Sequence, residues 1–305
     1  MCEISQLFPV HLRQNIREMP WQGLEEIRIR IGQPVEFCYG EGYRYLSLED
    51  ESGKPYRMRG EDLAEMLDYI SNYSLYAYQE EVKQGYITVE GGHRIGLIGQ
   101  AVTEQGKIAG IYPITFLNFR VAHERLDCAR KLLPYLLDQN SIYNTLFLSA
   151  PGAGKTTYLR DCIRLLSKGE GERAGMKVCV VDERSEIAAC HMGVPQNDLG
   201  PRTDVLDGCG KTEGMLLLLR SMSPQVIAVD ELGTEEDFLA VEQAVCSGSR
   251  ILGTIHAGEL QELQEKPHLK HWMERQMFQR FVQIRRQKSG EREIHIFDAG
   301  MRRLC

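Results

Sequence analysis

The chain has 305 residues, of which 43% are hydrophobic and 26% are charged, a composition typical of a soluble protein with one or two domains. A formal net charge of −7 argues against general attraction to nucleic acid or anionic lipid, although a local basic patch stays open. Nine cysteines without a Cys-x-x-Cys pair, and an N-terminus without a signal-peptide pattern, predict a cytoplasmic protein. The apolar stretches are too short to span a bilayer, so any membrane association is expected to be peripheral.

The first 138 residues predict a small α+β domain. Residues 24–31 alternate between apolar and charged side chains, which predicts a strand. Two hairpins are predicted, with turns at residues 40–42 and 90–92, where glycines interrupt the alternation. The other predicted elements of this domain are helices over 61–74 and 127–138 and strands near 107–111 and 115–122.

From residue 139 the pattern changes to strands that alternate with helices. Four short and nearly continuous apolar runs predict parallel strands covered on both faces. These runs are NTLFLS (144–149), KVCVVD (177–182), QVIAVD (225–230) and RILGTIH (250–256). FVQIRR and EIHIFD then predict an antiparallel hairpin, and residues 167–175 predict an exposed loop. We therefore assign residues 139–305 to one α/β domain.

The stretch SAPGAGKTT, at residues 149–157, predicts a phosphate-binding loop between the first of these strands and a helix. Glycines let backbone N–H groups approach phosphate oxygens, and the helix N-terminus favours the anion. Lys155 is expected to reach the β- and γ-phosphates of ATP, and the Thr156 hydroxyl to bind Mg²⁺. The remaining predicted ATP contacts are Pro151, Gly152, Ala153, Gly154 and Thr157. Ser149 stands where the strict pattern has glycine, at the joint between strand and loop, where a small residue can serve.

Two of the predicted strands end in an Asp-Glu pair. Asp230 is expected to hold a metal-bound water, and Glu231 to polarise the water that attacks the γ-phosphate. Asp182 and Glu183 are expected to face the same crevice as Lys155, because ligands bind beyond the carboxyl ends of parallel strands. This predicts Asp182 as a further metal ligand and Glu183 as a catalytic acid. Solvated loop acids or a surface ion pair are the alternative interpretation.

His256 ends a third strand, where its imidazole could donate a hydrogen bond to the γ-phosphate. A capping or core role is the alternative for a histidine at a strand end. The glycine- and aspartate-rich passage at residues 193–214 is long for a simple connection, so we expect it to close over the nucleotide or to contact a neighbouring subunit.

The order of these motifs along the chain is itself informative. In the second half the motifs are SAPGAGKTTYLRD, VVDERSEIAA, GVPQNDLGPRTDVLDG, EGMLLLLRSMSPQVIAVDELGTEED and GTIHA. In the first half they are LEEIRIRIGQPVE, GYITVEGGHRIGLIGQAV and LNFRVAHE. Together they resemble the stage III sporulation protein AA family over nearly the whole chain. That family is similar to the traffic ATPases of type II and type IV secretion and to pilus-retraction motors.

The resemblance implies a RecA-like P-loop ATPase core behind a PAS-like N-terminal domain, assembled as a homo-hexamer. It implies that ATP hydrolysis energises a membrane-embedded channel between mother cell and forespore during endospore formation. Lys155 and Thr156 match the Walker A residues, and Asp230 and Glu231 match Walker B. The Asp182-Glu183 segment takes the place of the acidic box of the secretion motors, and His256 that of their histidine box. Those motors usually have Gly-Glu at the Walker B position, so Asp230-Glu231 is more similar to AAA+ ATPases.

In the similar motors, an arginine from the neighbouring N-terminal domain reaches the γ-phosphate, so the resemblance implies the same here. The candidates are Arg94 and Arg120 and, less directly, Arg28 or Arg30. A solvated strand-face arginine is the alternative for each. The basic stretch 275–305 could dock an acidic partner or a membrane surface, or it could form a charged outer face.

The sequence therefore predicts a Mg²⁺-dependent ATPase of the ring-forming motor class, with nucleic acid not expected as a partner. Two other functions stay open. One is a RecA-like motor stimulated by nucleic acid, and the other is a nucleotide-gated scaffold without useful hydrolysis.

Overall fold

A computed structural model describes residues 2–40, 42–48, 54–74, 78–139, 141–265, 267–287 and 291–305. The contacts between Cα atoms divide the chain into two units, Met1–His123 and Glu124–Cys305. The sequence places the boundary later, after residue 138. The contacts differ because the side chains just after His123 pack into the core of the second unit; these are Ala129, Leu132, Leu133 and Leu136.

The first unit is built on a six-stranded antiparallel sheet. Its strands are β1 (Leu24–Arg30), β2 (Glu36–Tyr39), β3 (Gly42–Tyr45), β4 (Tyr86–Val89), β5 (His93–Glu104) and β6 (Lys107–Arg120). The order across the sheet is β3-β2-β1-β6-β5-β4. The helices are α1 (Cys2–Gln6), α2 (Arg13–Glu18), α3 (Gly60–Ile70) and α4 (Gln79–Gln84).

Both predicted hairpins of the first unit are confirmed, because Tyr39 pairs with Gly42 and Val89 pairs with His93. Glu41, in the first turn, lies outside the described residues. The two strands predicted near 107–111 and 115–122 form the single long strand β6. One face of the sheet is apolar and packs against the helices and their connections. Phe8, between α1 and α2, stacks on Phe119 of β6 with ring centroids 5.5 Å apart. That this unit is PAS-like stays a prediction.

The second unit has a seven-stranded sheet. Its strands are β9 (Thr145–Ser149), β12 (Val178–Asp182), β13 (Thr203–Asp207), β14 (Val226–Val229), β15 (Arg250–His256), β16 (Arg280–Arg286) and β17 (Arg292–Asp298). The order is β13-β12-β14-β15-β9-β16-β17, and only the last pair is antiparallel among these described strands. Two short hairpins lie outside it, formed by β7 (Leu137–Asp138) with β8 (Ser141–Ile142) and by β10 (Gly169–Glu170) with β11 (Arg173–Ala174).

The helices of the second unit are α5 (Leu133–Leu136), α6 (Lys155–Lys168), α7 (Lys211–Met222), α8 (Glu235–Cys246), α9 (Gln261–Glu265) and α10 (Pro267–Glu274). Among the described residues, none of the helices combines the length and the apolar composition needed to cross a bilayer. Alternate residues of the central strands enter two separate apolar cores. Phe147, Val180 and Ala228 face the core that includes α6, whereas their neighbours in sequence face the core that includes α7 and α8. This arrangement covers both faces of the sheet, as the apolar runs predict.

The four predicted parallel strands and the C-terminal hairpin are confirmed as β9, β12, β14, β15, β16 and β17. The helix predicted over 127–138 is shorter, because Pro134 has no backbone N–H and so favours the first turn of a helix, and α5 begins beside it. Residues 167–175, predicted as a loop, contain the short β10–β11 hairpin. Strand β13, inside the long passage at 193–214, was not predicted, since this edge strand is short and carries polar residues.

The segment that opens the second unit is held by helix α6. Asp161, which is 3% exposed, accepts the backbone N–H groups of Asp127 at 3.1 Å and of Ala129 at 2.7 Å. The guanidinium of Arg164 lies 2.7 Å from Asp161 and 2.8 Å from Asp127. A buried carboxylate therefore fastens this segment to the helix that begins at Lys155.

Candidate nucleotide-binding site

The predicted phosphate-binding loop connects β9 to α6, whose first residue is Lys155. Gly152 and Gly154 have φ values of +73° and +111°, in the left-handed region that glycine adopts without strain. The N–H groups of the first helical turn have no partner within the helix and so are available to an anion. Ser149 is fully buried at the joint, where its hydroxyl donates to the carbonyl of Ala150 at 2.7 Å. A small hydroxyl residue therefore fits at this position in place of glycine.

Lys155 is buried, with 5% of its surface exposed, and its Nζ lies 3.0 Å from Nδ1 of His256. Burial lowers the pKa of Lys155, and the charges of Asp230, Glu231 and Glu186 oppose that shift. Because an ammonium group can only donate, the imidazole accepts at Nδ1, which leaves Nε2 as the donor to Glu231 at 2.8 Å. His256 thus bridges Lys155, at the start of α6, and Glu231, which follows β14.

Asp230 lies next to the first turn of α6. Thr156 Oγ1 donates to Asp230 Oδ2 at 2.8 Å, and the hydroxyl of Thr254 donates to the other carboxylate oxygen. Burial raises the pKa of Asp230, although these two hydroxyl bonds oppose the rise. A threonine hydroxyl beside a carboxylate is an all-oxygen donor set of the kind that Mg²⁺ prefers, so Thr156 and Asp230 fit the predicted metal.

Glu231 occupies an unusual backbone conformation, with φ at +54°. Non-glycine residues adopt this left-handed region rarely, and such strain concentrates at functional sites. The carboxylate lies between two cationic or polar partners, His256 Nε2 at 2.8 Å and Arg184 Nη1 at 3.2 Å. Burial alone would raise the pKa of Glu231, but the hydrogen bond from His256 and the positive charges around it hold the pKa below its usual value. The site therefore keeps Glu231 ionised.

Asp182 has different partners from those predicted. Its two carboxylate oxygens accept the N–H groups of Glu186, Ile187 and Ala188 at 2.7 to 2.9 Å. Burial raises the pKa of Asp182 to about 6. Among the described residues, His, Cys, Asp and Glu side chains form no group of three or more suited to a metal. These three backbone donors give Asp182 a role in fixing the following loop, and its role as a metal ligand stays a prediction.

Glu183 likewise has a local partner, since it forms an ion pair with Lys211 at the start of α7. Its side chain is 41% exposed, whereas that of Glu231 is 25% exposed. The predicted catalytic role of Glu183 has no geometric support in this pair, and the structure places a salt bridge there instead.

Arg94 and Arg120 belong to the first unit, where they are register partners on β5 and β6. The guanidinium of Arg94 lies over the ring of Tyr86, 4.1 Å from its centroid, and Arg120 is exposed. Their action on a neighbouring subunit's nucleotide stays a prediction.

Sequence reasoning missed Thr254 and Arg160. Thr254 lies two residues before His256, so both side chains project from the same face of β15, and this spacing was a readable signal. Arg160 lies four residues after Thr156 on one face of α6, and it donates to the carbonyls of Glu186 and Ile187 at 2.7 and 2.8 Å. Arg160 therefore ties the loop after Asp182 to the helix of the phosphate-binding loop.

Comparisons with solved structures agree with this architecture. The Legionella pneumophila ATPase DotB superposes with a TM-score of 0.62 at 14% identity, covering 95% of this chain and 81% of that one. The pilus retraction motor PilT, solved with bound ADP, also gives 0.62, at 15% identity over 94% of this chain and 81% of that one. At such identities the likeness shows the fold alone, and the second unit is accordingly a RecA-like fold of the secretion-ATPase type.

Comparisons of sequence identify the family. Stage III sporulation protein AA of Bacillus subtilis (strain 168) is 41% identical over 301 residues, which cover 98% of this chain and 95% of that protein. The uncharacterized protein ycf45 of Cyanidium caldarium is 29% identical over 181 residues, 58% of this chain and 48% of its own. The family model described as "Sporulation stage III, protein AA" matches residues 2–304. The chain therefore belongs to the stage III sporulation protein AA family.

Proposed function

We propose that this protein hydrolyses ATP and acts as a secretion-type motor in endospore formation. The observation that carries the proposal is the 2.8 Å bond from Thr156 to Asp230, which joins the Walker A helix to the Walker B strand beside the Lys155–His256–Glu231 chain. The relatives support the biological setting, since one is named for stage III of sporulation and the structural neighbours are an ATPase and a pilus retraction motor.

The phosphate-binding loop supplies the first step, which is binding. Residues 152–157 present backbone N–H groups to the phosphates, and the buried ammonium of Lys155 exchanges its imidazole partner for a phosphate oxygen. A charged oxygen is the stronger acceptor, so ATP binding releases His256 Nδ1 from Lys155. Once Nδ1 has taken up a proton from water, the imidazolium donates to the γ-phosphate through Nδ1 and to Glu231 through Nε2, and this is how we interpret its position.

Hydrolysis follows from the position of Glu231. The carboxylate orients a water molecule and accepts its proton as the water oxygen bonds to the γ-phosphorus, while the bond from phosphorus to the ADP oxygen breaks. Mg²⁺ bound with the nucleotide would be held by Thr156 and Asp230 and would neutralise phosphate charge. The products are ADP and inorganic phosphate.

The finer parts of the proposal concern assembly. We propose a homo-hexameric ring in which Arg94 or Arg120 of one subunit reaches the nucleotide of the next, and membrane-embedded channel components as the partners that receive the work. An arginine supplied in this way raises the rate by about 10³–10⁵ in related chemistry. A rate that depends on assembly is therefore the signature of the ring.

The test measures phosphate release by the full chain at increasing protein concentration, together with its mass in solution. We expect the rate per subunit to rise as subunits associate. Lys155→Ala should abolish turnover and ATP-dependent thermal stabilisation while the protein remains folded. Equal activity in wild type and Lys155→Ala would contradict the assignment of the site, and a rate per subunit independent of association would contradict only the ring.

A further inference from the structure

Arg184 lies on the loop that follows β12 and reaches across to the strand end of β14. Its Nη1 lies 3.2 Å from Glu231 Oε2, while His256 holds Oε1 of the same carboxylate at 2.8 Å. Each oxygen of Glu231 therefore has its own partner. A carboxylate rotates easily about its last side-chain bond. One partner alone therefore does not set the orientation of the carboxylate plane, whereas a partner on each oxygen does.

The loop that carries Arg184 is held on several sides. Asp182 accepts three backbone N–H groups from residues 186–188, and Arg160 donates to the carbonyls of Glu186 and Ile187. The hydroxyl of Ser185 donates to Asp207 at 2.6 Å, and Asn197 donates to the carbonyl of Ile187 at 2.8 Å. These bonds make the loop a rigid support for the arginine.

Stability does not explain the Arg184–Glu231 pair. The Arg184 side chain is 65% exposed, and exposed ion pairs of this kind contribute little to stability. Several buried hydrogen bonds nevertheless fix the loop beneath Arg184. This contrast favours a role for the pair in orienting Glu231 over a role in holding the fold together.

We propose that Arg184 is a positioning residue for Glu231, acting within its own subunit. It holds Oε2 so that the carboxylate keeps one orientation toward the water that attacks the γ-phosphate. The inference rests on the proposed ATPase function. It differs from the arginine supplied by a neighbouring subunit, because its effect does not depend on association.

The experiment compares Arg184→Ala and Arg184→Lys with Arg220→Ala in the full chain. Arg220 is a suitable control because its guanidinium donates to the carbonyl of Leu216 on its own helix, α7. We expect Arg184→Ala to lower kcat by roughly tenfold to a hundredfold, the loss typical of a misplaced catalytic group, with KM for ATP and the thermal midpoint unchanged. Lysine, which keeps the charge, should restore part of the rate, and Arg220→Ala should match wild type.

A double-mutant cycle shows whether Arg184 acts through Glu231. In single-turnover assays on a Glu231→Gln background, adding Arg184→Ala should cause no further loss. A full additional loss there would overturn the proposal, as would a raised KM with unchanged kcat, or a kcat equal to wild type at every protein concentration. Absence of turnover in wild type would instead overturn the proposed function itself.

Discussion

Strands β12 and β14 are neighbours in the sheet, and the same residues, Val-Asp-Glu, stand at the carboxyl end of each, yet these residues have different partners. Asp182 accepts three backbone N–H groups, whereas Asp230 accepts the hydroxyls of Thr156 and Thr254. Both carboxylates are largely buried and so require donors. Three backbone donors hold Asp182 and shape a loop, while two hydroxyls and the N–H of Glu231 hold Asp230 beside groups that can share a cation.

The glutamates that follow show the same divergence. Glu183 pairs with Lys211, but the left-handed backbone of Glu231 directs its carboxylate to His256 and Arg184. Identical residues at equivalent strand ends thus have local partners in one place and partners from three different elements in the other. The difference lies in the partners that neighbouring elements supply.

The largest expected effect separates the two glutamates. Glu231→Gln should lower kcat by about 10²–10⁴, the contribution typical of a general base, because the amide cannot accept the proton of water. Glu183→Gln should stay close to wild type, since it loses only an exposed ion pair. Phosphate release at saturating ATP checks both, with ATP binding measured in parallel. Similar losses in the two variants would break the comparison.

A smaller effect separates the two aspartates. Asp182→Asn should lower the free energy of unfolding by about 1–3 kcal/mol, because at least one buried N–H loses its acceptor. Asp230→Asn should instead weaken the stabilisation that Mg²⁺ and ATP confer. Thermal unfolding with and without Mg²⁺ and ATP measures both quantities. If Asp182→Asn lost nucleotide-dependent stabilisation while its unliganded stability stayed unchanged, the result would support Asp182 as a metal ligand instead.

The last expected effect concerns pH. Burial raises the pKa of Asp182 to about 6 in the folded protein, whereas an unfolded aspartate titrates near pH ~3.9. The folded state therefore keeps a proton that the unfolded state has released, so this stabilisation is complete below about pH 4 and is lost as the pH rises toward 6. The thermal midpoint of wild type minus that of Asp182→Asn should shrink over this interval. A difference that does not vary with pH would contradict the raised pKa.

Much of this arrangement could be predicted from the sequence, because apolar runs and the glycine-lysine motif are visible in the residue types themselves. Continuous apolar runs predict β9, β12, β14 and β15, and the glycines and Lys155 predict the loop at the first strand end. The partners of Asp182 could not be predicted, since backbone N–H groups exist at every residue and leave no mark in side-chain identity. Edge strand β13 was not predicted for a related reason, because its polar residues resemble those of a loop.

The bond from Asp161 to the segment at Asp127 and Ala129 has a mechanical consequence. The polypeptide that leaves the first unit meets helix α6 two turns after Lys155, at a buried carboxylate rather than at a loose strand. Tension along that polypeptide would therefore load the helix whose first turn faces the phosphates. Conversely, a shift of the helix would displace the segment at Asp127 and Ala129 that the carboxylate holds.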